Sequence, residues 1–378
     1  MNSQPLHLLM ILNDIDWFWS HRLPLVKAVL EKGWPLSLAT ARASQDQGVK
    51  DMGIQTFDLP DHTNAYNIFL HFSIVHSIKK VIQKAQPDIV HAITIRHAFY
   101  TGIAARFIGY RPLVLTVAGL GSLFSRKTLK ASLLRLVAKP LLRFAFDSEG
   151  VFLIFQNPDD QKALIDNGIV KAERTTVIKG SGVDIETYQP APIIQGSKPV
   201  IVFASRLLKE KGIAEFVAAA RLLKDRADFV VAGDVYAKNP HSLTREEIQA
   251  WHDEGVIEWL GQYSDMASLF ARSSLVVLPS YYGEGVPKVL LEAMACGRAI
   301  ITTDLPGCRE TVDHESNGLL IPGQDVDALV RAITHMLDNP TLLKSYGDAG
   351  RKKVEGEFTT GAVVGKTLSV YDQMGIAA

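Results

Sequence analysis

The chain has 378 residues, 40 Lys and Arg against 40 Asp and Glu, and 47% of its residues are hydrophobic. That length exceeds what one small core buries, so two domains are expected, and ordinary charge, Gly and Pro contents exclude a disordered, collagenous or low-complexity chain. Two cysteines, Cys296 and Cys308, cannot build a disulfide framework or a Cys-rich metal site, so a reducing, cytoplasmic setting is the expectation.

In chain order, Leu6–Leu12 is an apolar run with no basic residue before it and Asn13-Asp14-Ile15-Asp16 directly after it. It reads as a buried first strand, too short for a signal peptide, and no apolar run of about 18 residues marks a membrane span. Further strands are expected at Pro35–Thr40, Ile89–Ala92, Leu113–Val117, Gly150–Phe155 and Thr176–Ile178. Stretches of helical period lie between them, including His21–Glu31, Ile68–Lys84 and Ala98–Phe107, with Ser20 as the expected cap of the first and Lys32-Gly33 as its end. Residues 189–198 hold two prolines, a glycine and a serine, the composition of an interdomain linker.

A second alternation follows the linker. Strands are expected at Val200–Ala204, Phe229–Ala232, Ile257–Leu260, Leu275–Pro279, Ala299–Thr303 and Gly318–Ile321, and helices at Gly212–Arg226, Met266–Arg272, Lys288–Cys296 and Val326–Leu337. The pattern predicts an α/β protein of two doubly wound, Rossmann-like domains, each binding ligand at the carboxyl ends of its strands. The neutral total conceals an asymmetry, since residues 1–188 carry 21 basic and 16 acidic side chains and the rest carry 19 and 24. An anionic ligand or surface near the first half is the expectation.

Two segments carry most of the chemistry. In the first, Ser280 to Gly297, a strand gives way to a loop and then to a helix near Pro287. The Gly285, Val286, Pro287 and Lys288 backbone would lie at that helix N-terminus, which favours anions. Glu284 and Glu292 are eight residues apart and could both accept hydrogen bonds from sugar hydroxyls, although a capped helix with one buried and one solvated Glu fits the spacing equally. In the second segment, Ala204 to Gly212, Arg206 and Lys211 follow a strand and could clamp a diphosphate. Lys209 is better read as part of a solvated charge run with Glu210.

The segments "SRLLKEKGI", "EGVPKVLLEAMACGRAIITTDLPGCRE", "VIKGSGVDIETYQP" and "NGLLIP" together resemble the retaining family 4 glycosyltransferases of the GT-B fold. "TVAGLGSLF" and "EGVPKVLLEA" extend the likeness to bacterial enzymes that transfer a hexosamine or hexose onto an undecaprenyl-diphosphate-linked sugar. The resemblance implies two Rossmann-like domains facing a central cleft, residues 1–188 binding acceptor and 199–360 binding the nucleotide sugar. A last helix, Gly361–Met374 within 361–378, would return to the first domain. It also implies that Arg206 and Lys211 hold the donor diphosphate, Glu284 the sugar and Glu292 the ribose, and that no metal or other cofactor takes part. Many relatives carry His-Gly where this chain has Ala118-Gly119, so the backbone from Gly119 through Gly121 to Ser122 is the expected donor contact. A Gly-Gly pair is also missing from the first loop, Asn13 to Trp19, which leaves that loop for acceptor or membrane.

In the first half, Arg96 and His97 after one strand, and His21 and Arg22 at the first helix, are candidates to meet an anionic acceptor. Arg126, Lys127, Lys130, Arg135, Lys139 and Arg143 are interleaved with leucines across 125–146. They suit peripheral attachment to an anionic membrane, and a helix packed on its own domain fits them as well. The expected function is transfer of an N-acetylhexosamine, such as GalNAc, from UDP to a polyprenyl-diphosphate-linked saccharide at the inner face of the cell membrane, with no nucleic-acid partner. GDP-mannose or UDP-galactose as donor and a lipopolysaccharide core as acceptor are the alternatives within the class. A nucleotide-sugar epimerase and a non-catalytic scaffold are those outside it.

Overall fold

A computed structural model describes residues 5–61, 68–120, 129–192, 198–236 and 239–376. The chain divides into two compact units, Met1–Ser181 with Gly361–Ala378, and Gly182–Thr360.

The first unit is built on a seven-stranded parallel sheet ordered β3-β2-β1-β4-β5-β6-β7. Its strands are β1 (Leu8–Ile11), β2 (Leu36–Thr40), β3 (Gln55–Asp58), β4 (Ile89–Ile93), β5 (Leu113–Val117), β6 (Val151–Phe155) and β7 (Thr175–Val177). β1, β2, β4, β5 and β6 are buried along their whole length, as near-continuous apolar runs must be when helices cover both sheet faces. Ile74, Ile78, Ala98 and Leu142 pack in the core on one face. Leu25, Val26, Val363, Val370 and Tyr371 pack in the core on the other, so the C-terminal helix Thr360–Ile376 closes this unit. Lys32 Nζ pairs with Asp372 at 3.0 Å on that side.

The second unit holds a six-stranded parallel sheet ordered β10-β9-β8-β11-β12-β13. Its strands are β8 (Val200–Ala204), β9 (Asp228–Ala232), β10 (Glu258–Trp259), β11 (Leu275–Leu278), β12 (Ala299–Thr303) and β13 (Gly318–Ile321).

Two expectations are corrected, and further elements are added. The first helical stretch starts before Ser20: Asp14 caps it, accepting from Trp17 N–H at 3.0 Å, and Ser20 lies inside a π-helical turn, Phe18–Arg22, with its hydroxyl on the Asp16 carbonyl. The boundary between units falls at Ser181/Gly182 instead of at 188. The reason is hydrogen bonding, because Val183 N–H donates to the Phe358 carbonyl at 2.9 Å and Arg351 Nη1 donates to the Tyr188 carbonyl at 2.7 Å. The strand β3 and the helices Pro158–Asp166, Arg245–Asp253 and Pro340–Lys353 complete the fold beyond the elements expected from sequence.

Among the described residues no helix is long and apolar enough to cross a membrane, and no group of three His, Cys, Asp or Glu could hold a metal ion.

Candidate active site

The second sheet changes direction between β8 and β11, since the chain builds outward to β9 and β10 on one side and to β12 and β13 on the other. Loops leaving the carboxyl ends of β8 and β11 flank that switch point, where open α/β sheets bind ligands. β8 runs through Ser205 and Arg206 into a 3-10 turn, Lys209–Lys211. The turn is tied to the β11 loop by the Glu210 carbonyl, which accepts from Tyr281 N–H at 2.9 Å and from the Ser280 hydroxyl at 3.2 Å. Gly212 follows at φ +80°, and a Cβ there would collide with the Pro279 carbonyl, so only glycine lets the two loops close this far.

These ties set Lys211 Nζ on the Glu284 carboxylate, with only 15% and 12% of the two side chains exposed. An ammonium has three donors, so Lys211 can hold Glu284 and still reach phosphate oxygens. Behind Glu284 lies the loop after β12. Gly307, at φ +83°, presses on the Glu284 and Gly285 carbonyls, where a Cβ would clash. Cys308 is buried beside it, and burial, then the Glu284 charge, pushes its thiol up to about 12, which keeps it an inert apolar wall.

Arg206 is exposed, its guanidinium 5.5 Å above the Tyr236 ring. Glu292 lies in the Lys288–Ala295 helix, which Pro287 precedes in extended conformation and whose approach Val286 anchors at 7% exposure. Its carboxylate accepts from the Tyr188 hydroxyl at 2.9 Å and lies 3.2 Å from Lys288 Nζ. Burial and then the Glu292 charge raise the Tyr188 hydroxyl above its ordinary range, so it stays a donor. Glu284 and Glu292 thus have separate partners. Lys211 and Glu284 come together, as do Glu292 and Lys288.

In the first unit the switch point lies between β1 and β4. His21 stacks on Trp17 at 4.7 Å. Arg96 is exposed at the start of the Ile95–Ile108 helix. Two of the candidate acceptor residues are buried. Arg22 is 6% exposed, its Nε and Nη2 have no hydrogen-bond partner, and burial pulls its pKa down to about 10 beside Tyr371. Such a guanidinium is enclosed in the first unit instead of standing exposed. His97 is 1% exposed and lies 3.5 Å from the Thr94 hydroxyl, edge-on to Tyr100. Thr94 adopts φ +84°, a strained conformation for a β-branched residue, at the carboxyl end of β4.

The loop after β5 is held from below. Leu120 N–H donates to Asp160 Oδ2 at 3.1 Å, and Asn157 Nδ2 donates to the same oxygen at 2.9 Å. Gly119 turns the chain at φ +104°. Gly121, Arg126 and Lys127 lie outside the described residues. Lys130 and Arg135 fall on the Leu129–Phe146 helix, where Lys139 and Arg143 are exposed.

Two family models match the chain: "Glycosyl transferase 4-like" over residues 10–157 and "Glycosyl transferases group 1" over 184–353. Together they span both units. The chain belongs to the GT-B glycosyltransferases. It is 25% identical to the N,N'-diacetylbacillosaminyl-diphospho-undecaprenol alpha-1,3-N-acetylgalactosaminyltransferase of Campylobacter jejuni, over 93% of this chain and 95% of that protein. It is 26% identical to an Escherichia coli UDP-Gal:alpha-D-GlcNAc-diphosphoundecaprenol alpha-1,3-galactosyltransferase, over 86% and 85%. Among solved structures, sucrose-phosphate synthase from Thermosynechococcus elongatus superposes with a TM-score of 0.80 at 21% identity, covering 99% of this chain and 100% of that one. Anabaena HepE in complex with UDP and glucose gives 0.77 at 20%, covering 97% and 100%.

In this glycosyltransferase several supporting residues escaped the sequence reading. Tyr188 and Gly307 lie inside quoted motifs, and a Pro306-Gly307 pair is a turn signal. Asn157-Pro158-Asp159-Asp160 has the order of a helix start, with Asn157 accepting from Asp160 N–H at 2.7 Å. Thr94 leaves no signal, because backbone strain is imposed by tertiary context.

Proposed function

We propose that this glycosyltransferase moves a sugar from a nucleoside-diphosphate donor to a polyprenyl-diphosphate-linked saccharide, with retention of anomeric configuration and without a metal ion. The observation that carries the reading is the Lys211–Glu284 pair at the switch point of the second sheet, with Arg206 on the same strand end. Arg206 and Lys211 stabilise the charge that develops on the diphosphate as it leaves, and two fixed cations supply there what a metal supplies elsewhere. Glu284, held by Lys211, accepts hydrogen bonds from the donor sugar, the Gly285–Lys288 backbone borders it, and Glu292 takes the ribose. The leaving phosphate oxygen receives the acceptor proton, so the reaction needs no side-chain base. The Campylobacter and Escherichia coli relatives, by their names, act on undecaprenyl-diphosphate sugars, which supports the acceptor class, and the name of the second supports a UDP donor. GalNAc is the proposed sugar, with galactose the second reading that the latter relative favours. Such an acceptor places the protein at a membrane surface.

The test is transfer to a synthetic polyprenyl-diphosphate sugar in detergent with chelator, offering UDP-GalNAc, UDP-GlcNAc, UDP-galactose and GDP-mannose separately. A new α-linked disaccharide from one UDP donor is expected. Transfer only to a lipopolysaccharide core, or a strict need for added metal, would overturn the corresponding part.

A further inference from the structure

Arg206 and Lys211, the two cations at the crevice edge of the second sheet, are held in different ways. Lys211 pairs with Glu284, whereas Arg206 pairs with no carboxylate among the described residues and faces the Tyr236 ring, 5.5 Å from its guanidinium. Tyr236 belongs to the loop after β9, outside the segments that carry the family resemblance.

That loop is a fixed mount. Residues 234–236 and 239–244 lie along the turn that follows β8. Leu207 N–H donates to the Asp234 carbonyl at 3.1 Å, Leu243 N–H to the Leu207 carbonyl at 2.9 Å and Lys209 N–H to the His241 carbonyl at 2.9 Å, and Leu208 bridges Ser242 in antiparallel sense. Asp234 accepts from Arg245 Nη2 at 3.0 Å on both its oxygens and from Val235 N–H at 2.8 Å. Arg245 in turn lies 5.1 Å from the Trp259 ring, and Trp259 Nε1 donates to the Gly233 carbonyl at 2.8 Å. Tyr236 is pinned on both sides of its backbone, its N–H donating to the Ser242 hydroxyl at 2.8 Å and its carbonyl accepting from Asn239 N–H at 2.8 Å. Its ring is half-buried, and the guanidinium beside it is exposed.

A carboxylate in the place of that ring would hold Arg206 and also cancel the charge that a leaving diphosphate needs. An aromatic face attracts a guanidinium without neutralising it, and leaves the N–H donors of its fork for phosphate oxygens. We propose that Tyr236 is a positioning residue for sugar transfer, its ring holding the Arg206 guanidinium at the crevice edge for the departing diphosphate. The proposal deepens the reading above and rests on it for the role of Arg206. Tyr236 touches no reacting atom in this scheme and acts through Arg206.

The test is kcat and donor Kd in the detergent transfer assay, with thermal unfolding, for Tyr236→Leu, Tyr236→Phe, Arg206→Ala and the double variant Tyr236→Leu with Arg206→Ala. Tyr236→Leu keeps apolar bulk and loses the aromatic face. It should lower kcat by about threefold to thirtyfold, with donor Kd changed by less than about threefold. Tyr236→Gln, equally without an aromatic face, repeats the comparison with a polar side chain. Tyr236→Phe keeps the face and should retain kcat within about twofold. In Arg206→Ala the ring has nothing to hold, so adding Tyr236→Leu should change kcat by less than about twofold, a coupling that general damage to the loop would not produce. An equal loss from Tyr236→Leu in both backgrounds, a Phe variant as slow as the Leu variant, a loss confined to donor Kd, or parental kcat in Tyr236→Leu would overturn the positioning role, while the reading of Arg206 stands on its own alanine variant. Parental kcat in Arg206→Ala would instead remove that reading, and the role of Tyr236 with it.

Discussion

Lys211 and Glu284 neutralise each other in a place with little solvent, so removing either partner leaves a charge that water cannot screen. Lys211→Ala and Glu284→Ala should each cost about 2–4 kcal/mol of stability, and the double variant less than the sum, with a coupling energy of about 1–3 kcal/mol in a denaturant-unfolding cycle. Additive losses would mean that the pair does not exist in solution. Asp160 makes the opposite case, because burial outweighs its two hydrogen bonds and raises its pKa from 3.8 to about 6. The folded state therefore binds a proton that the unfolded chain has released between those values, so this group's contribution to stability falls as pH rises through the window. In Asp160→Asn the amide oxygen keeps both hydrogen bonds from Leu120 and Asn157 and the charge is gone. The variant should be more stable than the parent above pH about 6, by up to about 3 kcal/mol, and the gap should close near pH about 4. A gap of constant size across that range would refute the shift.

At the scale of the element, the loops matter more than the strands they leave. Gly307 belongs to the loop after β12, yet its missing side chain sets the position of the Glu284–Gly285 backbone in the loop after β11. Gly307→Ala should lower transfer by tenfold or more while donor-free stability drops by about 1–3 kcal/mol; a variant with parental turnover would show that the contact is dispensable. Strand identity was legible in sequence wherever the run was apolar, and β5, β8, β12 and β13 fall on the expected residues. β3 was not, because Gln55-Thr56-Phe57-Asp58 is an edge strand with one buried residue. The Arg245–Asp253 helix was also missed, since Ile248 is its one buried residue and its start depends on the Thr244–Glu247 capping box. Motif order singled out Arg206, Lys211 and Glu284 as candidates. It could not reveal that Lys211 and Glu284 pair, nor that Arg22 lies buried beside Tyr371 of the C-terminal helix, because both contacts join residues far apart in the chain.

For the molecule as a whole, each unit carries its candidate residues at the switch point of its own sheet. The two units are unlike in charge. The first collects basic side chains on a helical layer, and the second concentrates a few paired charges around one crevice edge. That division suits the reaction proposed above, in which the donor is a soluble anion and the acceptor is carried on a lipid. If Arg206 and Lys211 act on the departing diphosphate, kcat together with donor Kd for Arg206→Ala in the detergent transfer assay shows it. A fall in kcat of about a hundredfold or more is expected, with donor Kd changed by less than about tenfold, since the guanidinium acts most strongly on charge that exists only in the transition state. An unchanged kcat, or a loss confined to donor binding, would contradict it.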